Sequence, residues 1–548
     1  MKPVMTLSEF LVAYLRRIGV QHIFGLPGDM VLGLFQSLGR DNGLEIVTLS
    51  HEPGVGFAAD GYARATRRLG VICVTYGAGG CNVLNPVAGA YAERVPLLVI
   101  SGGPGTDESR MFRVHHQVKS VETQQRVFSE VTCDARILRR ADIAAEEIHE
   151  LVSNARRELR PAYLEIHRDQ VDMPIPVPES IRSWDGSLPR PSSDPQRLEE
   201  ALRDTIGRLR TAEKPLLIGG ADLHRVGAEK DFVRLAEKLG TAVATTVLGK
   251  GVFPMNHPLH LGIHMGPMGA PAIQRRAAEA GLVIELGTQH TDMNLGRAAS
   301  LAPLERSIWA EPERVAVSFH HYTGVMLHEF VRGLADAELP HFAEKVTYVD
   351  NLEHVPFAAR ANAKLSTNDL LLELNDFLAE HPGTYVFAES GDMLFGGLEL
   401  RLHGGLYFAQ GFYASMGFGV PAAIGAEIGT GIRPLVICGD GAFQMTGPEI
   451  AHAPRLGLNP IVVVVNNSGW GIFRPVTERQ DLLDVPPWPY AELGRAWGGL
   501  GLVATTRAEL RTALAEAFAS PKFSIVEAIT PRDDLSPVTL RYMGQKSD

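Results

Sequence analysis

The chain has 548 residues, 45% hydrophobic and 21% charged, with a net charge of −11. That length exceeds what one hydrophobic core supports, so two to four domains are expected. No stretch approaches the roughly 18 uninterrupted apolar residues of a membrane span, and an acidic balance without a basic stripe excludes nucleic acid, leaving small-molecule chemistry as the default.

The start, Met1-Lys2-Pro3-Val4-Met5-Thr6, runs straight into an amphipathic pattern (Phe10, Leu11, Tyr14, Leu15) with no apolar signal region, which predicts a cytoplasmic protein. Apolar runs at 21–26, 44–49, 70–76, 96–101 and 162–166 alternate with helical patterns and predict a parallel sheet with covering helices over residues 1–172. Residues 173–195, with Pro174, Pro176, Pro178, Pro189, Pro191 and Pro195, read as a linker. A second unit, 196–339, opens with a helix over 196–210 and carries strands at 215–219, 241–247, 281–286 and 314–319. After a second linker, 340–364, a third unit runs over 365–548 with strands at 384–388, 435–438, 461–465 and 523–528. The fold class is therefore α/β, three doubly wound parallel-sheet domains in series. Cys73, Cys81, Cys133 and Cys438 are widely spread in mostly apolar surroundings and read as buried free thiols rather than disulfides or a zinc site.

The chemistry concentrates at two strand ends of the third unit. The apolar run 434–438 leads into Gly439-Asp440-Gly441, and the run 461–465 leads into Asn466-Asn467-Ser468-Gly469. Glycines let the backbone approach an anion, while a carboxylate and an amide oxygen are the hard ligands of Mg²⁺ bound to a diphosphate. Gly-Asp-Gly alone marks many tight turns; the paired signal is far less common. In the first unit Glu52 opens a run of small residues, 54–64, that predicts a tightly packed helix. By itself such a carboxylate is explained by the helix macrodipole.

Together these motifs resemble the thiamine-diphosphate-dependent 2-oxo acid decarboxylases, acetolactate synthases and their relatives, and the resemblance covers essentially the whole chain. Its implications are specific. Asp440 and Asn467 side chains and the Gly469 carbonyl would hold Mg²⁺; Gly439, Gly441 and Ala442 would contact the diphosphate. Glu52 would hydrogen-bond the cofactor's pyrimidine N1′, so that the 4′-amino group can remove the thiazolium C2 proton and form the ylide. In Phe412-Tyr413-Ala414-Ser415-Met416-Gly417-Phe418-Gly419, Met416 would be the wedge that bends the cofactor and the Ala414 carbonyl would receive its amino group. The same region carries Gly417-x-Gly419-x-x-Ala422 with Asp440 some twenty residues on, a weak imitation of a dinucleotide fingerprint, since no apolar strand ends just before Gly417.

Asp29 and the adjacent pair His115-His116 are candidate acid/base groups; the resemblance places a His-His pair in the decarboxylase branch, although such a pair in a loop can also bind a metal or stand solvated. His257, His260 and His264 invite a zinc reading, which Pro258 and the glycine-rich surroundings disfavour. One departure matters: where pyruvate decarboxylases carry a catalytic glutamate, this chain has Phe473, and Asp292 is a candidate substitute acid. Phe473, Trp470, Met393 and Leu394 would line a larger, more apolar pocket than pyruvate requires. The resemblance thus implies decarboxylation of an aromatic 2-oxo acid, of the phenylpyruvate or indole-3-pyruvate type, to an aldehyde and CO₂, by a homodimer at least and, as is usual in the family, a homotetramer. The alternatives are a carboligase of the acetolactate-synthase kind, with FAD in the middle unit, and a non-catalytic cofactor-binding homologue.

Overall fold

A computed structural model of the chain describes residues 1–40, 43–111, 113–188, 190–298 and 300–544; Pro189 of the first linker and the last four residues of the third unit lie outside the described residues. The chain divides into two compact units, one made of 1–190, 420–431 and 446–456, the other of 191–419, 432–445 and 457–548.

The first unit is built on a six-stranded parallel sheet in the order Glu45–Val47, His22–Gly25, Gly70–Val74, Leu97–Gly103, Ala162–His167, Asp134–Ile137. Its central strands Gly70–Val74, Leu97–Gly103 and Ala162–His167 are buried along their whole length, as expected of a sheet covered on both faces. The helix Leu7–Arg17 lies against it because Leu7, Phe10, Leu11, Tyr14 and Leu15 fall on one face, and Thr6 with Glu9 closes a capping box at its start. Within the proline-rich stretch 173–195, Pro174–Pro176 pairs antiparallel with Val4–Thr6 and buries Ile175.

The second unit carries two sheets. One has seven strands in the order His260–Ile263, Val243–Thr245, Leu216–Gly219, Val283–Leu286, Ser307–Glu311, Arg314–Val317, His320–Thr323, the last three joined antiparallel. The other is six-stranded and parallel: Tyr407–Ala409, Tyr385–Ala388, Pro434–Gly439, Ile461–Asn466, Ser524–Ile529, Leu500–Ala504. Numbered in chain order, this sheet and that of the first unit share one strand order, 2-1-3-4-6-5. Both reverse direction between their first and third strands, which is where open α/β sheets bind ligands outside the strands' carboxyl ends.

The strands that apolar patterning misses are mostly edges: Asp134–Ile137, His260–Ile263, His320–Thr323, Tyr407–Ala409 and Leu500–Ala504 each end a sheet. An edge strand is covered on fewer sides and so needs no continuous apolar run; Asp134 and Arg136 form an ion pair on one of them. All four cysteines are free, and Cys73 and Cys438 are buried. The expectation of burial fails at Cys81, which is exposed within Gly79-Gly80-Cys81-Asn82, where small neighbours leave it uncovered, and at Cys133, which is half-buried. Among the described residues no helix is long and apolar enough to cross a membrane.

Candidate active site

In the first unit the loops after the first and third strands meet. A Cβ at Gly28 would stand 2.4 Å from Thr75 Cβ, and one at Gly77, whose φ is +67°, would stand 2.4 Å from His116 Cβ. Only glycine lets these backbones lie against each other. Asp29 follows Gly28, and His115 Nε2 lies 2.7 Å from its Oδ2, with His116 Nε2 3.9 Å from its Oδ1. Burial alone would raise the Asp29 carboxyl, but the His115 hydrogen bond and the charges of both histidines outweigh it and hold the group below the usual carboxylate range. The three side chains are the one group of metal-ligating type brought together among the described residues; His257, His260 and His264 form none, and burial pushes His260 down to about 3 and His264 to about 4.

Glu52 is the first residue of the helix Glu52–Thr66. Its side chain is 17% exposed and Oε2 accepts a hydrogen bond from Asn82 Nδ2 at 3.0 Å. The turn before it is fixed by Glu449, whose carboxylate accepts from the Ser50 and His51 amides at 2.8 and 3.1 Å. The helix packs through its small residues: a Cβ at Gly61 would stand 2.1 Å from the Ala422 carbonyl oxygen. Asn82 is visible in the sequence beside the glycine-rich loop; Glu449, some 400 residues away, carries no local signal.

In the second unit a cavity of about 270 Å³ opens at the carboxyl ends of Tyr385–Ala388, Pro434–Gly439 and Ile461–Asn466. Ala414, Met416, Gly439, Asp440, Gly441, Ala442, Asn467 and Gly469 line it, as do Met393, Leu394, Trp470 and Phe473. Ser390, Asp392, Phe395 and, from the C-terminal helix, Tyr542 and Met543 complete walls that sequence reasoning did not assign. Asp440 is 2% exposed; Oδ1 accepts from its neighbour's amide, Gly441 N, at 2.7 Å and Oδ2 from Gly469 N at 3.0 Å. Burial pushes this carboxyl up to about 6 against the pull of the backbone donors and Arg474. A Cβ at Gly441 would stand 2.5 Å from the Trp470 ring, so the glycine is what admits the indole. Ser468 at φ +60° turns the chain between Asn467 and Gly469. Asp292 is exposed and its carboxylate accepts from the Met293 amide; Met293, not Asp292, lines the cavity. A short helix beginning at residue 292 leaves its first side chain outside and buries its second.

Sequence comparison matches residues 5–127 to the thiamine pyrophosphate enzyme N-terminal TPP binding domain, 202–332 to the central domain and 399–528 to the C-terminal TPP binding domain. An indole-3-pyruvate decarboxylase of Azospirillum brasilense is 36% identical, over 99% of this chain and 98% of that one. The chain belongs to the thiamine pyrophosphate enzymes. Within these it groups with the 2-oxo acid decarboxylases, for pyruvate decarboxylase 2 of Oryza sativa subsp. japonica is 30% identical over 99% of this chain and 91% of the other. The crystal structure of benzoylformate decarboxylase from Polynucleobacter necessarius shares the fold, with a TM-score of 0.82 at 19% identity, covering 97% of this chain and all of that one.

The second-unit cavity suits a thiamine pyrophosphate enzyme's cofactor. Asn467 Oδ1 is buried with no hydrogen-bond partner in the protein, next to the buried Asp440 carboxylate. A buried amide oxygen without a donor is satisfied by a hard cation. The Gly469 carbonyl accepts from Gly471 N at 2.9 Å and keeps a second lone pair. The residues fit a divalent cation bound to a diphosphate.

Proposed function

We propose that the protein is a non-oxidative, Mg²⁺-assisted decarboxylase of an aromatic 2-oxo acid, of the phenylpyruvate or indole-3-pyruvate type, releasing CO₂ and an aldehyde. The observation that carries this reading is Phe473. It stands where the resembled pyruvate decarboxylases have a glutamate, and with Trp470, Met393, Leu394 and Phe395 gives the cavity a largely apolar wall. Burying an aromatic ring against such a wall contributes on the order of 2 kcal/mol.

Bound thiamine diphosphate supplies a nucleophilic carbon and a sink for the electron pair freed when CO₂ leaves. Asp440, Asn467 and the Gly469 carbonyl would hold the metal, and the amides of Gly441 and Ala442 would meet the phosphates. Glu52, oriented by Asn82, would hydrogen-bond the cofactor's pyrimidine ring and so govern the proton at its amino group. Met416 would support the bound cofactor from below, and the Ala414 carbonyl, in a residue at φ +58°, would accept a hydrogen bond from its amino group. Asp29, 2.7 Å from His115 Nε2, holds that ring in place to carry protons to and from the substrate carbons. Asp292, outside the cavity wall, is not needed for this scheme.

The family arrangement shares each cofactor between two copies, so the active form is a homodimer at least, with a homotetramer as the expected assembly. Flavin chemistry in the middle sheet is disfavoured by its loop after Leu216–Gly219: Asp222 is fully buried there, and a Cβ at Gly220 would stand 2.1 Å from the Gly287 carbonyl oxygen. A buried carboxylate at a loop already packed on backbone is a poor seat for a pyrophosphate.

The test is aldehyde formation from phenylpyruvate, indole-3-pyruvate, benzoylformate and pyruvate with thiamine diphosphate and Mg²⁺, with Glu52→Gln as control. Aromatic turnover that vanishes in the variant is expected. No aldehyde from any substrate, or a clear preference for pyruvate, defeats the reading.

A further inference from the structure

The imitation dinucleotide run Gly417-x-Gly419-x-x-Ala422 has a physical resolution. In nucleotide-binding loops, backbone amides at a helix start receive a pyrophosphate. Here they receive a carboxylate of the chain itself. Glu389, which follows the strand Tyr385–Ala388 and is 1% exposed, accepts through Oε1 from Gly417 N at 2.9 Å and Phe418 N at 3.1 Å, and through Oε2 from Gly419 N at 2.7 Å. The next residue, Ser390, donates from Oγ to the Ser415 carbonyl at 3.3 Å. The segment gripped in this way has an improbable backbone, with Ala414 at φ +58° and Gly417 at +90°, so two left-handed residues fall within four positions. Such a conformation persists only where its surroundings over-determine it. Between them sits Met416, whose side chain reaches the cavity, while Glu389 itself is not part of the cavity wall.

We propose that Glu389 is a positioning residue for the cofactor: as the internal anion of the Gly417, Phe418 and Gly419 amides it sets where the Met416 side chain and the Ala414 carbonyl stand in the cavity. This rests on reading Met416 as the support of the bent cofactor. The carboxylate touches neither cofactor nor substrate; it acts through the segment it holds. The cradle it fills is also closed to a nucleotide.

The experiment compares the full-length wild type with Glu389→Gln, Gly419→Ala and Met416→Ala, each with Mg²⁺ and thiamine diphosphate. A glutamine offers an NH₂ group to amides that need an acceptor. A Cβ at Gly419 would stand 2.9 Å from Glu389 Oε2, displacing the carboxylate without removing it, so one variant stands in if the other does not fold. Three readouts are taken: cofactor affinity by fluorescence titration, the near-ultraviolet circular dichroism of the bound aminopyrimidine, and the split between kcat and KM. Glu389→Gln and Gly419→Ala should bind the cofactor within about threefold of wild type, because Asp440 and Asn467 are untouched. They should change the dichroism of the bound ring as Met416→Ala does, and lower kcat roughly a hundredfold with KM little altered.

Unchanged dichroism and kcat in both variants, with Met416→Ala impaired, overturns the role of Glu389 alone. Impairment of the Glu389 and Gly419 variants with Met416→Ala unaffected overturns the reading of Met416, and the proposal with it. Cofactor affinity lost in parallel with thermal stability marks a purely structural carboxylate and overturns it as well.

Discussion

The side-chain amide of Asn82, at the end of the short helix Ala78–Asn82, donates at 3.0 Å to the carboxylate of Glu52, the first residue of the helix Glu52–Thr66. The amide fixes which way a largely buried carboxylate turns. Replacing Glu52 by Gln should lower kcat by 10²- to 10⁴-fold, the range of a positioned proton-transfer group, and leave cofactor affinity nearly unchanged. Asn82→Ala should cost about tenfold, since the carboxylate remains but is no longer aimed. Single-turnover kinetics beside equilibrium cofactor titration separates the two effects; loss of affinity in Glu52→Gln would show a binding role instead.

Cofactor and metal should stabilise the fold through Asp440 and Asn467. With the Mg²⁺–thiamine diphosphate complex, taken as one ligand, at a hundred times its dissociation constant, the unfolding free energy should rise by about 2.7 kcal/mol. Asp440→Ala and Asn467→Ala should abolish most of that gain, and EDTA should reverse it in the wild type. Thermal unfolding with and without the pair measures it. A full rise in either variant would remove that residue from the ligand set.

Phe473 should set substrate preference. Phe473→Ala should raise KM for phenylpyruvate by about ten- to thirtyfold, the equivalent of up to about 2 kcal/mol of lost apolar contact, while pyruvate turnover changes little. Equal losses for both substrates would place Phe473 in the chemistry rather than in the pocket wall.

Lys250 makes a stability prediction with a definite sign. Its ammonium is buried, with Nζ 2.6 Å from the Leu400 carbonyl oxygen and 3.1 Å from that of Leu398, and burial pushes its pKa down to about 7. The unfolded chain holds this proton up to about pH 10.4. Between pH 7 and 10 the unfolded state therefore binds more protons, and this group's contribution to stability rises with pH. Relative to Lys250→Met, the wild type should gain roughly 1.4 kcal/mol per pH unit across that window, read from urea unfolding at several pH values. A difference independent of pH would show that the carbonyls hold the charge at its ordinary pKa.

The sequence shows its chemistry most clearly where chemistry and backbone geometry demand the same residue. Gly441 follows Asp440 where the Trp470 ring leaves no room for a Cβ, and Asn467 follows the strand Ile461–Asn466, apolar up to its last residue, so motif and fold reinforce each other. Glu52 is legible only through its partner motif, because a carboxylate at a helix start has a sufficient explanation in the macrodipole. Glu389, Glu449 and the Tyr542 and Met543 wall escape notice because their partners are distant along the chain and the groups they meet are backbone amides or open cavity, neither of which leaves a spacing pattern. Asp292 shows a related limit: position in a string does not say which of two neighbours, Asp292 or Met293, a four-residue helix turns toward the cavity. Most edge strands escape because they lack the long apolar runs by which the central strands are found; Glu45–Val47, within the run 44–49, does not.

The shared strand order of the first and third sheets has a consequence for how the chain is made. Two like modules joined directly invite exchange of equivalent strands during folding, a common route to misassembly in multidomain proteins. Here a seven-stranded sheet of different order, partly antiparallel, is synthesised between them. By the time Tyr385–Ala388 leaves the ribosome, the first sheet, whose last strand in the chain is Ala162–His167, has had the whole of the middle sheet's synthesis in which to close before its look-alike is made.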